Sequence, residues 1–157
     1  MLKRRMAMVL AGALMAGGAT FGAGTAGATN IGNEGCTPGY WKNHTENWQE
    51  HPTTARLGRQ FTFPDSLAHF RDVTFLQALQ GGGGPGLDGA TKILMRASVA
   101  AFLNAAHEGL GYPYRRYNDP FNIQSQVNAA LASQDRDQIL ALASTLDAAN
   151  NLGCPLN

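Results

Sequence analysis

Apolar positions along the chain keep a helical period in its second half and lose it over much of the first. From about residue 88 to 107, Ile93, Leu94, Ala97, Val99, Ala100, Ala101, Phe102, Leu103, Ala105 and Ala106 are apolar on nearly every side. A helix apolar all round is covered by neighbours all round, so this segment is expected to be the central helix. Its many alanines let partner helices approach closely, and Gly109 is its expected stop. Ile123, Val127, Ala130 and Leu131 then mark one face of a further helix, opened by Asp119-Pro120 or Asn122. Ile139, Leu142, Ala143 and Leu146 mark a last one, which begins near Asp135 and ends at 150–153.

The elements nearer the start are shorter. Thr74 followed three residues later by Gln77 fits a capping box, opening a helix of one or two turns that Gly81 ends. Pro64 or Asp65 leads into a short helix reaching Phe70. Thr37-Pro38 supplies an N-cap and a proline at the first helical position, which predicts a helix over 38–50, stopped by His51-Pro52. On it Trp41, His44 and Trp48 recur at i, i+3 and i+7 and share a face, with Lys42 and Asn43 elsewhere. Residues 52–63 show no period and read as loop. No stretch alternates with period two, so the expectation is an all-α, single-domain bundle of five or six helices around the alanine-rich one, with little or no sheet.

The first 28 residues change where this domain belongs. Lys3, Arg4 and Arg5 precede an apolar run from Met6 to about Phe21, and Ala26-Gly27-Ala28 is a small-residue cleavage site. This is the layout of an export signal, with Thr29 as the mature start and no retained membrane span. Arg4-Arg5 leaves general and twin-arginine export both open. Removing 28 of 157 residues leaves 129, enough for one domain: a polar, loose segment at 29–35 and a helical unit at 36–157. Loss of Lys3, Arg4 and Arg5 leaves 9 basic against 11 acidic residues, a net charge of −2. A near-neutral chain with scattered arginines lacks the footprint of a nucleic-acid binder. In an oxidising compartment the two cysteines, Cys36 and Cys154, are expected to bridge and enclose almost the whole domain, the alternative being free or intermolecularly paired thiols.

Candidate chemistry is sparse. His44 and His107 are the histidines to weigh as metal ligands, but neither their spacing nor a nearby acid cluster completes the three or four ligands zinc requires. The face of Trp41, His44 and Trp48, in the candidate motif that opens at Tyr40, or the loop from Tyr112 to Tyr117 with Arg115 and Arg116, offers rings and guanidinium groups that could stack on a sugar; core packing and loop capping are the plainer roles. Arg96, Asn104 and His107 are polar positions in the apolar central helix. Gly81, Gly83 and Gly86 match G-x-G-x-x-G, but no strand precedes them, and Leu87 stands where a phosphate loop needs lysine. Asn43-His44-Thr45 fits the glycosylation triplet but falls inside an expected helix. No complete catalytic set is legible, and no cofactor is expected.

The opening GCTPGYWKNH, the middle VTFLQALQGGGG leading to AAFLNAAH, and the closing QVNAALAS with LDAANNLGCPL resemble a family of secreted bacterial proteins of undetermined function, a small helical module found alone or in larger cell-surface proteins. The resemblance spans about 35–156. It implies export, a surface or extracellular setting and pairing of Cys36 with Cys154, and it carries no catalytic role onto any residue. The leading expectation is therefore a non-enzymatic extracellular or cell-surface module whose partner is an envelope polymer or protein, with no membrane contact after signal cleavage. A metal binder or metal-dependent hydrolase using His44 and His107, with Asn104 beside them, and a carbohydrate-binding module are the alternatives.

Overall fold

The computed structural model describes residues 32–156; the expected export signal at 1–28 and the residues up to 31 lie outside them. The described chain is all-helical in its regular structure. It comprises α1 (Pro38–Asn43), α2 (Phe75–Gln80), α3 (Gly86–Ala106), α4 (Ile123–Ser133) and α5 (Arg136–Asn150), with 3-10 turns at Thr45–Asn47, Leu57–Arg59 and Asp65–Phe70. Two isolated antiparallel bridges, Gly35 with Gly153 and Arg56 with Thr74, are the extent of β pairing among the described residues.

Local signals set most of the helix starts. Thr37 Oγ1 accepts from Tyr40 N at the head of α1, and Pro38 occupies the first turn. Thr74 and Gln77 form a reciprocal capping box on α2. Asn122 caps α4 through Ser125 N, and Asp135 caps α5 through Asp137 N and Gln138 N. α3 is the axis of the molecule: it packs along α5 and also against α1, α2 and α4. Leu94, Val99, Ala100, Ala101 and Phe102 are fully buried along it. At one end of this core Phe61, Phe75 and Tyr117 pack edge-on around Phe102, with ring centroids 5.0, 6.4 and 5.6 Å away.

The helix expected over 38–50 is only six residues long. His44 leaves helical geometry (φ −123°, ψ 60°) after its N–H has bonded Tyr40 O. The carbonyl of Trp41, which a continuing helix would offer to residue 45, instead accepts from the Trp48 indole Nε1 at 2.9 Å. A side chain thus replaces the next helical hydrogen bond, and the chain passes into a 3-10 turn. Trp41, His44 and Trp48 consequently do not share one helix face: Trp41 is buried, Trp48 half-buried and His44 exposed.

The expected loose segment at 29–35 is tied down at its described end. Glu34 N donates to Gly111 O, Gly111 N donates back to Glu34 Oε2, and Gly35 N donates to Gly153 O. Gly35 has to be glycine, since a Cβ there would lie 2.2 Å from Ala149 O. The Cys36–Cys154 disulfide is formed beside it, across a sequence separation of 118 residues. The two ends of the described chain therefore meet beside the C-terminal ends of α3 and α5.

Candidate functional site

The residues singled out in the sequence converge mainly on this closure, and there they bond to one another. Asn104, on the last turn of α3 and fully buried, is the hub. Its Oδ1 accepts from Cys36 N (2.8 Å) and from the Trp41 indole Nε1 (3.0 Å). Its Nδ2 donates to Cys36 O (2.9 Å) and to Asn150 Oδ1 (2.9 Å). Both acceptor positions and both donor hydrogens are occupied, so this amide is saturated. Asn150 Oδ1 also accepts from the Tyr112 hydroxyl (2.8 Å), and Asn150 Nδ2 donates to Ala97 O (3.0 Å). Burial holds the Tyr112 phenol far above its ordinary range, so it remains an O–H donor.

This neutral network joins five pieces: the cystine backbone, α1 through Trp41, α3, α5, and the loop of Tyr112. A buried amide is costly unless every polar atom finds a partner, and here each partner is also one that must be held. By sequence pattern Asn150 is only a helix end and Tyr112 only a loop aromatic. The signal that could have found Asn150 is its place on the buried α5 stripe of Ile139, Ala143 and Leu146 at helical spacing, a polar side chain where an apolar one is due.

An aromatic series flanks the hub. The His44 ring stacks on Tyr40 at 4.4 Å, Tyr40 meets Trp41 edge-on at 5.2 Å, and Trp41 lies 5.9 Å from His107. Tyr40 OH donates to Leu156 O and accepts from Asn47 Nδ2, pinning the C-terminal end as well. His44 and His107 thus sit at the two ends of this series with the Tyr40 and Trp41 rings between them. His44 Nδ1 pairs with Glu46 at 3.0 Å, and His107 Nδ1 accepts from Gly109 N at 3.0 Å. Burial lowers the His107 pKa, with Glu108 opposing, which favours the neutral ring. No group of three or more His, Cys, Asp or Glu among the described residues is placed to hold a metal ion.

Lys42 and Asn43 face solvent beside these rings. Arg96 is exposed on α3, away from the hub, and lines a groove shared with α5. Of the rings weighed for sugar stacking, Trp41 is buried and Trp48 has its N–H engaged. The 112–117 loop acts as a cap: Tyr112 joins the network, Tyr117 OH donates to Gln60 Oε1, and Arg116 pairs with Glu50 at 2.7 Å while donating to His51 Nε2 at 3.2 Å. Burial and the neighbouring Arg116 lower the His51 pKa, with Glu50 opposing.

No helix among the described residues is long and apolar enough to cross a membrane. Compared with known protein families, curated proteins and solved structures, the chain matches none.

Proposed function

We propose that the protein is a secreted, non-enzymatic extracellular or cell-surface module that presents a rigid helical surface to an envelope polymer or protein. One observation carries this reading. Cys36, Tyr40, Trp41 and Asn104, from the stretches most suggestive of chemistry, have their polar groups engaged with Asn150, Tyr112, Leu156 and one another. Such groups hold chain ends together; they are not open to a substrate. A domain closed by a bridge and a saturated core network suits an unprotected extracellular setting, where chains are not refolded by chaperones. The opening and closing motifs, with their likeness to secreted helical modules, and the export signal read from the first 28 residues support the same reading.

The test is recovery of the native protein from fractionated cultures, followed by assay on a broad hydrolase and transferase substrate panel. The expected outcome is a chain starting at Thr29 in the medium or on the cell surface, with no turnover. Reproducible turnover abolished by one polar substitution that leaves the melting temperature intact would overturn the reading.

A further inference from the structure

A groove of about 470 Å³ lies between the start of α1, the middle of α3 and the last turns of α5. Pro38, Ala97 and Ala143 line it and are buried, contributing a ring edge and methyl groups, while Thr37, Ser144 and Asn151 add polar groups to its lining. The exposed Ile93, one turn before Ala97, adds an apolar shoulder. Arg96 from α3 and Asp147 from α5 also line it, and both are exposed. They do not reach each other: neither has an ion pair or a side-chain hydrogen bond among the described residues. The floor is stiffened from behind, because the carbonyl of Ala97 receives Asn150 Nδ2 from the closure network.

We infer that this groove binds a short peptide of small residues carrying a free carboxylate and a free amine, as in the peptide branches of an envelope polymer. The inference rests on the reading of the protein as an extracellular interaction module and names the ligand class of that module. A planar guanidinium presents paired donors that match a carboxylate, so Arg96 takes the acidic end. Asp147 takes the ammonium. Methyl-sized side chains fit over Ala97 and Ala143, and a floor that does not rearrange keeps the ordering cost of binding low.

The experiment is an amide-resolved NMR titration of the protein as recovered from the culture, with alanyl-alanyl-alanine, its C-terminal amide and its N-acetyl form. Saturable shifts are expected at 93–97 and 143–147. Amidation should weaken binding to the wild type about 1.5- to fivefold, the range of exposed charged contacts, and leave binding to Arg96→Gln unchanged. Acetylation should do the same for the wild type and not for Asp147→Asn. Both side chains are exposed and unpaired, so both variants should keep the wild-type melting temperature. Absence of saturable shifts, shifts elsewhere, or variants as sensitive to end-capping as the wild type would each overturn the inference. Retention of the protein on envelope polymer should be competed by the tripeptide. Retention that it does not compete would overturn the groove while leaving the module reading in place.

Discussion

Two polar clusters hold this molecule together, and they are built on opposite principles. Around Asn104 every group is a neutral amide, a phenol, an indole N–H or backbone, all of it buried and mutually satisfied. Around Arg116 the groups are ionic and partly open: Glu50 is exposed, the Arg116 side chain is 16% exposed, and His51 lies half-buried against Phe75 and Phe102. The first cluster ties chain ends that are far apart in sequence, where a charged pair would suffer a large desolvation cost. The second fastens a surface loop to a turn, where water relieves part of that cost. The groups of the hub itself have no charge to gain in mild acid, whereas His51 in the loop clamp has one.

The largest test of this contrast is reduction. Breaking Cys36–Cys154 releases a loop of 118 residues, and loss of the tie should cost about 4–5 kcal/mol in the chain-entropy description. Urea unfolding with and without reductant measures it, and coincident curves would show that the network, not the bridge, holds the ends. Next, Asn104→Ala strips partners from Cys36 N, Cys36 O, Trp41 Nε1 and Asn150 at once, for an expected loss of roughly 3–4 kcal/mol. A loss under about 1 kcal/mol would mean that water replaces the amide and that the hub is not cooperative. Tyr112→Phe removes one donor while Asn150 Oδ1 keeps Asn104 Nδ2, so its cost should be only about 1 kcal/mol.

The smallest effect is the pH response of the loop clamp. His51 has a lowered pKa in the folded state, because burial and Arg116 disfavour the cation, whereas the unfolded ring titrates near 6.5. The unfolded chain therefore binds the proton first as pH falls through 6.5. Stability contributed by neutral His51 is present above that value and lost progressively below it, until the folded ring also protonates. His107, lowered mainly by burial, acts in the same direction. Urea midpoints measured between pH 8 and pH 5 should decline, and His51→Gln should flatten part of the slope. An equal slope in wild type and variant would remove His51 from the account.

Much of the fold was legible because its signals are local. The capping box at Thr74 and Gln77, the caps at Asn122 and Asp135 and the apolar run of α3 each act within a turn or two of the chain, and each forms as its pattern predicts. The stretch after Asn43 was not legible. Its helical spacing was real, but the Trp48 indole competed for the Trp41 carbonyl and ended the helix. The loop at 112–117 was likewise readable as aromatic and basic. That Tyr112 turns inward to Asn150 while Arg116 turns to Glu50 depends on partners that the sequence places 38 and 66 residues away.

By itself, then, the sequence determined the helical class, most helix starts, the burial of α3 and the pair of cysteines available to close the domain, since periodicity, capping and residue type act over short distances. Only the tertiary structure decided that Asn104 and Asn150 would face one another beside the bridge, that Trp41 would be a buried donor and not a binding platform, and that Arg96 and Asp147 would flank one groove. Hydrogen bonds of defined direction need both partners in place, and those positions exist only once α3 and α5 have packed.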